Sequence, residues 1–127
     1  RHVLVKRIDS SNYLTIGVSG SGDNKARLSL VVGGVSQADL RSVTAVTAGN
    51  VYRMAARIAP NDVALATTAS LNATIIKDAS ASMLPSEGAL DMGAWAGTNA
   101  TDSPIRKIIT TAALKSDAEL LAWAQAA

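Results

Sequence analysis

Phenylalanine and cysteine are absent from this 127-residue chain, histidine occurs once, and aromatic residues make up only 3% of it. Without cysteine there are no disulfides, no thiolate nucleophile and no cysteine-ligated zinc. His2, standing alone, excludes a histidine cluster. Charge of one sign is also scarce: 12 Lys and Arg face 10 Asp and Glu, a net charge of +2, so overall charge attracts a partner only weakly. Long apolar runs are missing. The longest, Leu30 to Val35, falls far short of the roughly 18 residues a membrane span needs. No charged-then-apolar leader opens the chain, which as given is expected to be soluble and to have no membrane partner. Only Tyr13, Tyr52, Trp95 and Trp123 are aromatic, so the core is expected to use small aliphatic groups, and thin cores of this kind favour oligomers.

What is there begins with a length that suits one domain. The charge is unevenly spread. Residues 1–60 hold eight cations (Arg1, Lys6, Arg7, Lys25, Arg27, Arg41, Arg53, Arg57) and three anions, whereas residues 61–127 hold four cations and seven anions. The basic groups belong to the first half.

Period-two alternation, which puts every second side chain on the same face of a strand, marks seven short strands. Val3 to Ile8 and Tyr13 to Ser19 flank Asp9-Ser10-Ser11-Asn12 as a hairpin, and Gly20 to Asn24 then forms a turn. Lys25 to Val32 is the third strand, with Leu28, Leu30 and Val32 on one face and Lys25, Arg27 and Ser29 on the other. Leu40 to Thr47 and Val51 to Ala59 read as a further hairpin across Ala48-Gly49-Asn50. In the latter strand Tyr52, Met54, Ala56 and Ile58 share an apolar face, and Arg53 and Arg57 share the opposite one. Residues 62–69 have little pattern and read as a loop. Ser70 to Asp78 and Ala89 to Ala96 complete the strands, with residues 79–88, including Met83 and Pro85, as a long exposed loop between them.

The period changes after Thr101. Ser103 suits an N-cap and Pro104 the first helical position, so a helix is expected to start there. Its apolar stripe is Ile105, Ile108, Ile109, Ala112 and Ala113. Ser116-Asp117-Ala118-Glu119 has capping-box spacing and opens a second helix with Leu120, Leu121 and Ala124 as its stripe and Trp123 beside it.

This order of elements, with Ala94-Trp95-Ala96-Gly97-Thr98-Asn99-Ala100-Thr101-Asp102 leading into Ile105-Arg106-Lys107-Ile108-Ile109 and on to Leu114-Lys115-Ser116, resembles the coat proteins of the single-stranded RNA bacteriophages, the leviviruses. The segments Val43 to Thr47 and Tyr52 to Ile58 resemble two adjacent sheet strands of that family. The resemblance implies an α+β fold: an N-terminal hairpin over 1–20, a five-stranded antiparallel sheet over 25–96, and two C-terminal helices over 103–126 that dimerise, forming an intertwined dimer. It implies a structural capsid protein, not an enzyme, that needs no cofactor or metal. Dimers would close into an icosahedral shell around single-stranded genomic RNA, so the chain would be made in the bacterial cytoplasm and end in the virion.

Under the resemblance, Ile105, Ile108, Ile109, Leu120, Leu121 and Trp123 would be buried across the partner. The RNA contacts would be Arg53 and Arg57, with Lys25, Arg27 and Arg41 on neighbouring strands, on the sheet face opposite the helices; guanidinium groups suit phosphate because they offer fixed donors and stay charged. Asn72 and Thr74 would add neutral hydrogen bonds. In well-known members of the family a tyrosine on the last long strand stacks on an RNA base, and residues 85–91 of this chain contain none. The alternative is an exported structural β-subunit of a pilus or surface layer, which the Ala, Ser and Thr content also suits and which has no use for a cationic face. An enzyme ranks third: Asp62, Asp78, Glu87, Asp91 and Asp102 show no catalytic spacing and no partner histidine.

Overall fold

The structure, a computed structural model, describes residues 2–20, 22–68, 74–84, 89–92 and 107–125. Its strands are β1 (His2–Arg7), β2 (Tyr13–Val18), β3 (Lys25–Val32), β4 (Val35–Ala45), β5 (Met54–Ala59), β6 (Asp62–Thr67), β7 (Thr74–Asp78) and β8 (Ala89–Met92), followed by the helix α1 (Asp117–Gln125). They form two antiparallel sheets, one of five strands in the order β4-β3-β2-β1-β8 and one of three in the order β5-β6-β7. The fold is therefore mostly antiparallel β with one short C-terminal helix.

Local chemistry makes the turns. After β1, the Asp9 carboxylate accepts the Ser11 amide at 2.7 Å and the Asn12 side-chain amide at 3.0 Å, which closes the expected first hairpin. Between β3 and β4, Gly33 and Gly34 take φ of +60° and +78°, as a two-residue turn with the twist of its strands requires. The Gly33 amide donates to Asn12 Oδ1 and the Gly34 amide to the Ser11 carbonyl, both at 2.8 Å, so the two turns brace each other. Between β5 and β6, Pro60 supplies its fixed φ and Asn61 a φ of +56°, the pairing that suits a type II turn.

The two sheets pack face to face. Leu14, Ile16, Leu28, Leu30, Ala38 and Leu40 from the large sheet meet Val63 and Leu65 from the small one, with Ala81 enclosed and Met54, Ala56, Ile58 and Ile76 packed around them. On the other side of the small sheet, Leu120 and Ala124 of α1 cover Ala55, Ala64 and Ala66. The layers run large sheet, small sheet, helix.

Several expectations are corrected. Residues 62–69, read as a loop, contain β6, whose Val63 to Thr67 are all buried. It is the middle strand of a sheet covered on both faces, so the polar alternation that marks a strand is missing. The expected hairpin across Ala48-Gly49-Asn50 does not form: β4 pairs with β3, β5 pairs with β6, and residues 46–53 cross from one sheet to the other. Strand 4 begins at Val35 rather than Leu40. The hairpin over 1–20 is not separate from the following sheet, because β2 pairs with β3 along its whole length. The 79–88 loop, expected to be exposed, has Ala81 fully buried and Met83 and Leu84 packed on the core; residues 85–88 lie outside the described residues.

The first C-terminal helix is also corrected where it can be seen. Residues 107–116 are irregular, and Ile109 is exposed. The β-branched run Ile108-Ile109-Thr110-Thr111 disfavours a helix, and Ile109, Ala112 and Ala113 of the expected stripe stay exposed, so packing there does not offset it. Residues 103–106 lie outside the described residues. The second helix forms as expected. The Ser116 amide donates to Glu119 Oε2 at 2.8 Å and the Glu119 amide to Ser116 Oγ at 3.3 Å, the reciprocal bonds of a capping box.

Candidate nucleic-acid interface

The register of the large sheet puts His2, Gly17, Arg27 and Arg41 in one row and Val5, Thr15, Ser29 and Asp39 in the next, on the face turned away from the small sheet. Lys25 shares that face. Arg27 grips Asp39 with two bonds, Nε to Oδ1 at 2.6 Å and Nη2 to Oδ2 at 3.1 Å. Arg41 bonds the same carboxylate at 2.9 Å and reaches Asp23 Oδ2 at 3.0 Å. Three cations thus share the face, and two carboxylates, Asp39 and Asp23, bind its two arginines.

Each carboxylate is held ionised. The Ser19 hydroxyl, with the Lys25 amide and Arg41, lowers the Asp23 carboxyl from 3.8 to about 2. At Asp39 burial works against the charge, and hydrogen bonds from Arg27 and Arg41 outweigh it, so the group stays below the usual carboxylate range. Burial, reinforced by Arg27, pushes the His2 imidazole down. Around Arg27 and Arg41 the face is a braced lattice of opposite charges with a small cationic excess, whereas Val5, Thr15 and Ser29 in the next row are buried.

The other two expected arginines lie elsewhere. Arg53 is exposed in the segment that leads into β5, where its backbone exchanges hydrogen bonds with Thr68. Arg57 lies on the small sheet, on the face that α1 covers, with only 9% of its side chain exposed. Its Nε and Nη2 bond Asp62 at 2.8 and 2.6 Å, Nη2 bonds Asp117 at 2.8 Å, and Nη1 bonds the Lys115 carbonyl at 2.7 Å. This corrects the expectation that Arg57 faces away from the helices. The two faces of β5 alternate as expected, but the apolar face of Met54, Ala56 and Ile58 is the one that meets the large sheet, which leaves the arginine face to the helix.

Arg57, Ala64 and Lys77 stand in one row across β5, β6 and β7. The small Ala64 between the two cations lets the start of α1 approach, and Asp117 bridges them, with Lys77 Nζ at 2.8 Å. Lys77 first, then Arg57, lowers the Asp117 carboxyl below its usual range. Sequence reasoning missed Asp39, Asp23 and Asp117 as partners of the arginines. Asp117 left a trace: it is an acid in the first turn of a helix, where a cation on a neighbouring element can meet it.

The structure brings Lys25, Arg27 and Arg41 together and separates them from Arg53 and Arg57. Asn72 lies outside the described residues, as does the side chain of Thr74. Of the residues expected at a dimer interface, Leu120 is buried on the chain's own small sheet with Leu121 packed beside it. Trp123 is 40% and Ile109 62% exposed, Ile108 is half-buried, and Ile105 lies outside the described residues. Among the described residues no group of three His, Cys, Asp or Glu side chains could hold a metal ion, and no helix is long and apolar enough to cross a membrane. Comparison with protein-family models, with curated proteins and with solved structures finds no match.

Proposed function

We propose that this chain is the structural subunit of a protein shell, a coat protein of the levivirus kind, which pairs edge to edge with a second copy and holds single-stranded RNA on its basic sheet face. The observation that carries the reading is the free side of β4. This 11-residue strand ends the large sheet, has no strand on its outer side among the described residues, and exposes Val35 and Val43. A row of backbone donors and acceptors beside apolar side chains is a template for another strand, and two-fold pairing satisfies both copies at once. Register shifts at both ends of β4 leave its middle, Ala38 to Arg41, as the regular stretch for such pairing.

The RNA contacts in this reading are Lys25, Arg27 and Arg41 on the large sheet, with Arg53 as a separate exposed cation beside the small one. Phosphate would compete with Asp39 and Asp23 for the guanidinium groups, so binding is expected to be weak per subunit, salt-sensitive, and effective through many copies. The carboxylate pairing of Arg27 and Arg41 favours a second reading, an RNA-free pilus or surface-layer subunit. Negative-stain microscopy of the expressed chain, with absorbance at 260 and 280 nm, separates them. Round particles with nucleic-acid absorbance support the coat reading; filaments without it support the alternative. Compact monomers free of nucleic acid defeat both.

A further inference from the structure

We infer that α1 is a detachable cover, latched to the three-stranded sheet by the bridge that Asp117 makes between Arg57 and Lys77, and that breaking this bridge frees the helix while both sheets stay folded. The inference is independent of the coat reading.

The two apolar clusters of the chain are separate. The core between the sheets contains no residue of α1, and the helix rests on a second, smaller cluster of Ala55, Ala64, Ala66 and Ala124 with Leu120 as its one fully buried large side chain and Ile75 and Leu121 packed at its margin. Lifting the helix therefore uncovers on the sheet only alanine methyls and the already half-buried Ile75. A nine-residue helix is too short to persist alone in water, where those under roughly 12–15 residues are marginal, so α1 unwinds once it leaves. Its lead-in is irregular, with residues 109–114 exposed, and the bond its Lys115 carbonyl accepts from Arg57 belongs to the same point of attachment as the bridge.

The charges make the separation reversible. Asp62 sits on β6, within the sheet, and keeps its two bonds to Arg57 when α1 leaves, so the guanidinium retains a counter-charge. Asp117 and Lys77 return to water. The charged groups facing the bridge are Arg57 on β5, Asp62 on β6, Lys77 on β7, and Asp117, Glu119 and Lys115 on the helix and its lead-in; Asp78 bonds Ser80 instead. Because Lys77 and Arg57 hold the Asp117 carboxyl below its usual range, the latch is closed at neutral pH and opens only in acid.

The test follows Cα chemical shifts of residues 118–125 and amide signals of β3 and β6 by NMR, in the unmodified chain from pH 7 to pH 2 and in Asp117→Asn, Lys77→Met and the double variant at pH 7. The expected result is a several-fold drop in helix population for Asp117→Asn, a smaller drop for Lys77→Met, a double variant no worse than Asp117→Asn alone, and unchanged strand signals throughout. In acid, the helix shifts are expected to disappear before the strand signals. Loss of helix and strands at one midpoint overturns the inference. So does a silent Lys77→Met, which would reduce Asp117 to a helix-end charge.

Discussion

The carboxylate of Asp117 in α1 and the guanidinium of Arg57 in β5, 60 positions apart in the chain, meet at 2.8 Å over the alanine face of the small sheet. The arginine most suggestive of a phosphate site in the sequence is thus the one most engaged in holding the fold. Its neighbour in the sequence pattern, Arg53, stays exposed. Two residues with the same periodicity have taken opposite roles.

That difference is measurable. Arg57→Met is expected to lower the melting temperature clearly, because Asp62 and Asp117 lose a shared partner that is almost wholly covered. Arg53→Ala is expected to change stability by no more than about 0.5 kcal/mol. Thermal unfolding followed by circular dichroism compares them, and equal effects would contradict the assignment.

The two apolar clusters respond differently to truncation. Leu65, fully buried between the sheets, is expected to cost about 2–5 kcal/mol of global stability on change to Ala. Leu120→Ala removes the one fully buried large side chain between α1 and the small sheet, so it is expected to abolish helix signal with a smaller effect on the urea midpoint of the strands. A single shared transition in both variants would refute the separation.

The β3–β4 turn isolates a backbone effect. A Cβ added at Gly34 meets nothing within 4 Å, so Gly34→Ala suffers only from its φ of +78°, a cost of about 1–2 kcal/mol. Gly20→Ala, with the same open space and no such φ, is expected to be close to neutral. Urea denaturation of the two variants measures the difference directly.

Acid reaches two carboxyls late. The Ser116 amide and Lys115 lower Glu119 from 4.5 to about 2, and Asp23 is likewise lowered to about 2. Groups depressed in this way stabilise the fold fully above their ordinary values, and the contribution fades as pH falls toward about 2. Carboxyl titration by NMR is expected to place both midpoints near 2, against ordinary values for the same groups in urea. Glu119→Gln should remove the matching part of the acid dependence of helix content.

The edge of the large sheet carries the proposal for assembly. Val43 is 72% exposed on β4, so Val43→Lys should leave the monomer fold intact and put a charge beside the regular stretch that would accept a second strand. Sedimentation is expected to show fewer dimers and particles. Unaltered assembly would remove β4 from the interface.

How far the chain could be read in advance depended on which physics each segment expresses. Strands with one polar face, such as β3 with Lys25, Arg27 and Ser29 opposite Leu28 and Leu30, announce themselves by alternation. The capping box at Ser116 and Glu119 is equally local, and it forms as its spacing requires. By contrast, β6 is covered on both sides and shows no alternation, and so it read as a loop. The irregular stretch 107–116 failed the other way, since its apolar spacing promised a stripe of which Ile109, Ala112 and Ala113 stay exposed.

The candidate site divides along the same line. Its cations were visible by residue type and by their crowding into the first half of the chain. Their partners were not, because Asp39 lies 12 positions from Arg27, and Asp117 lies 60 positions from Arg57. The sequence alone determined the turn geometry, the capped helix and the faces of the half-exposed strands, all of which depend on neighbours a few residues away. Only the tertiary structure decided that β4 and β5 separate into different sheets, and which arginine is covered and which left in water. Those outcomes depend on which surfaces pack together, and burial is a property of the assembled whole rather than of any local run of residues.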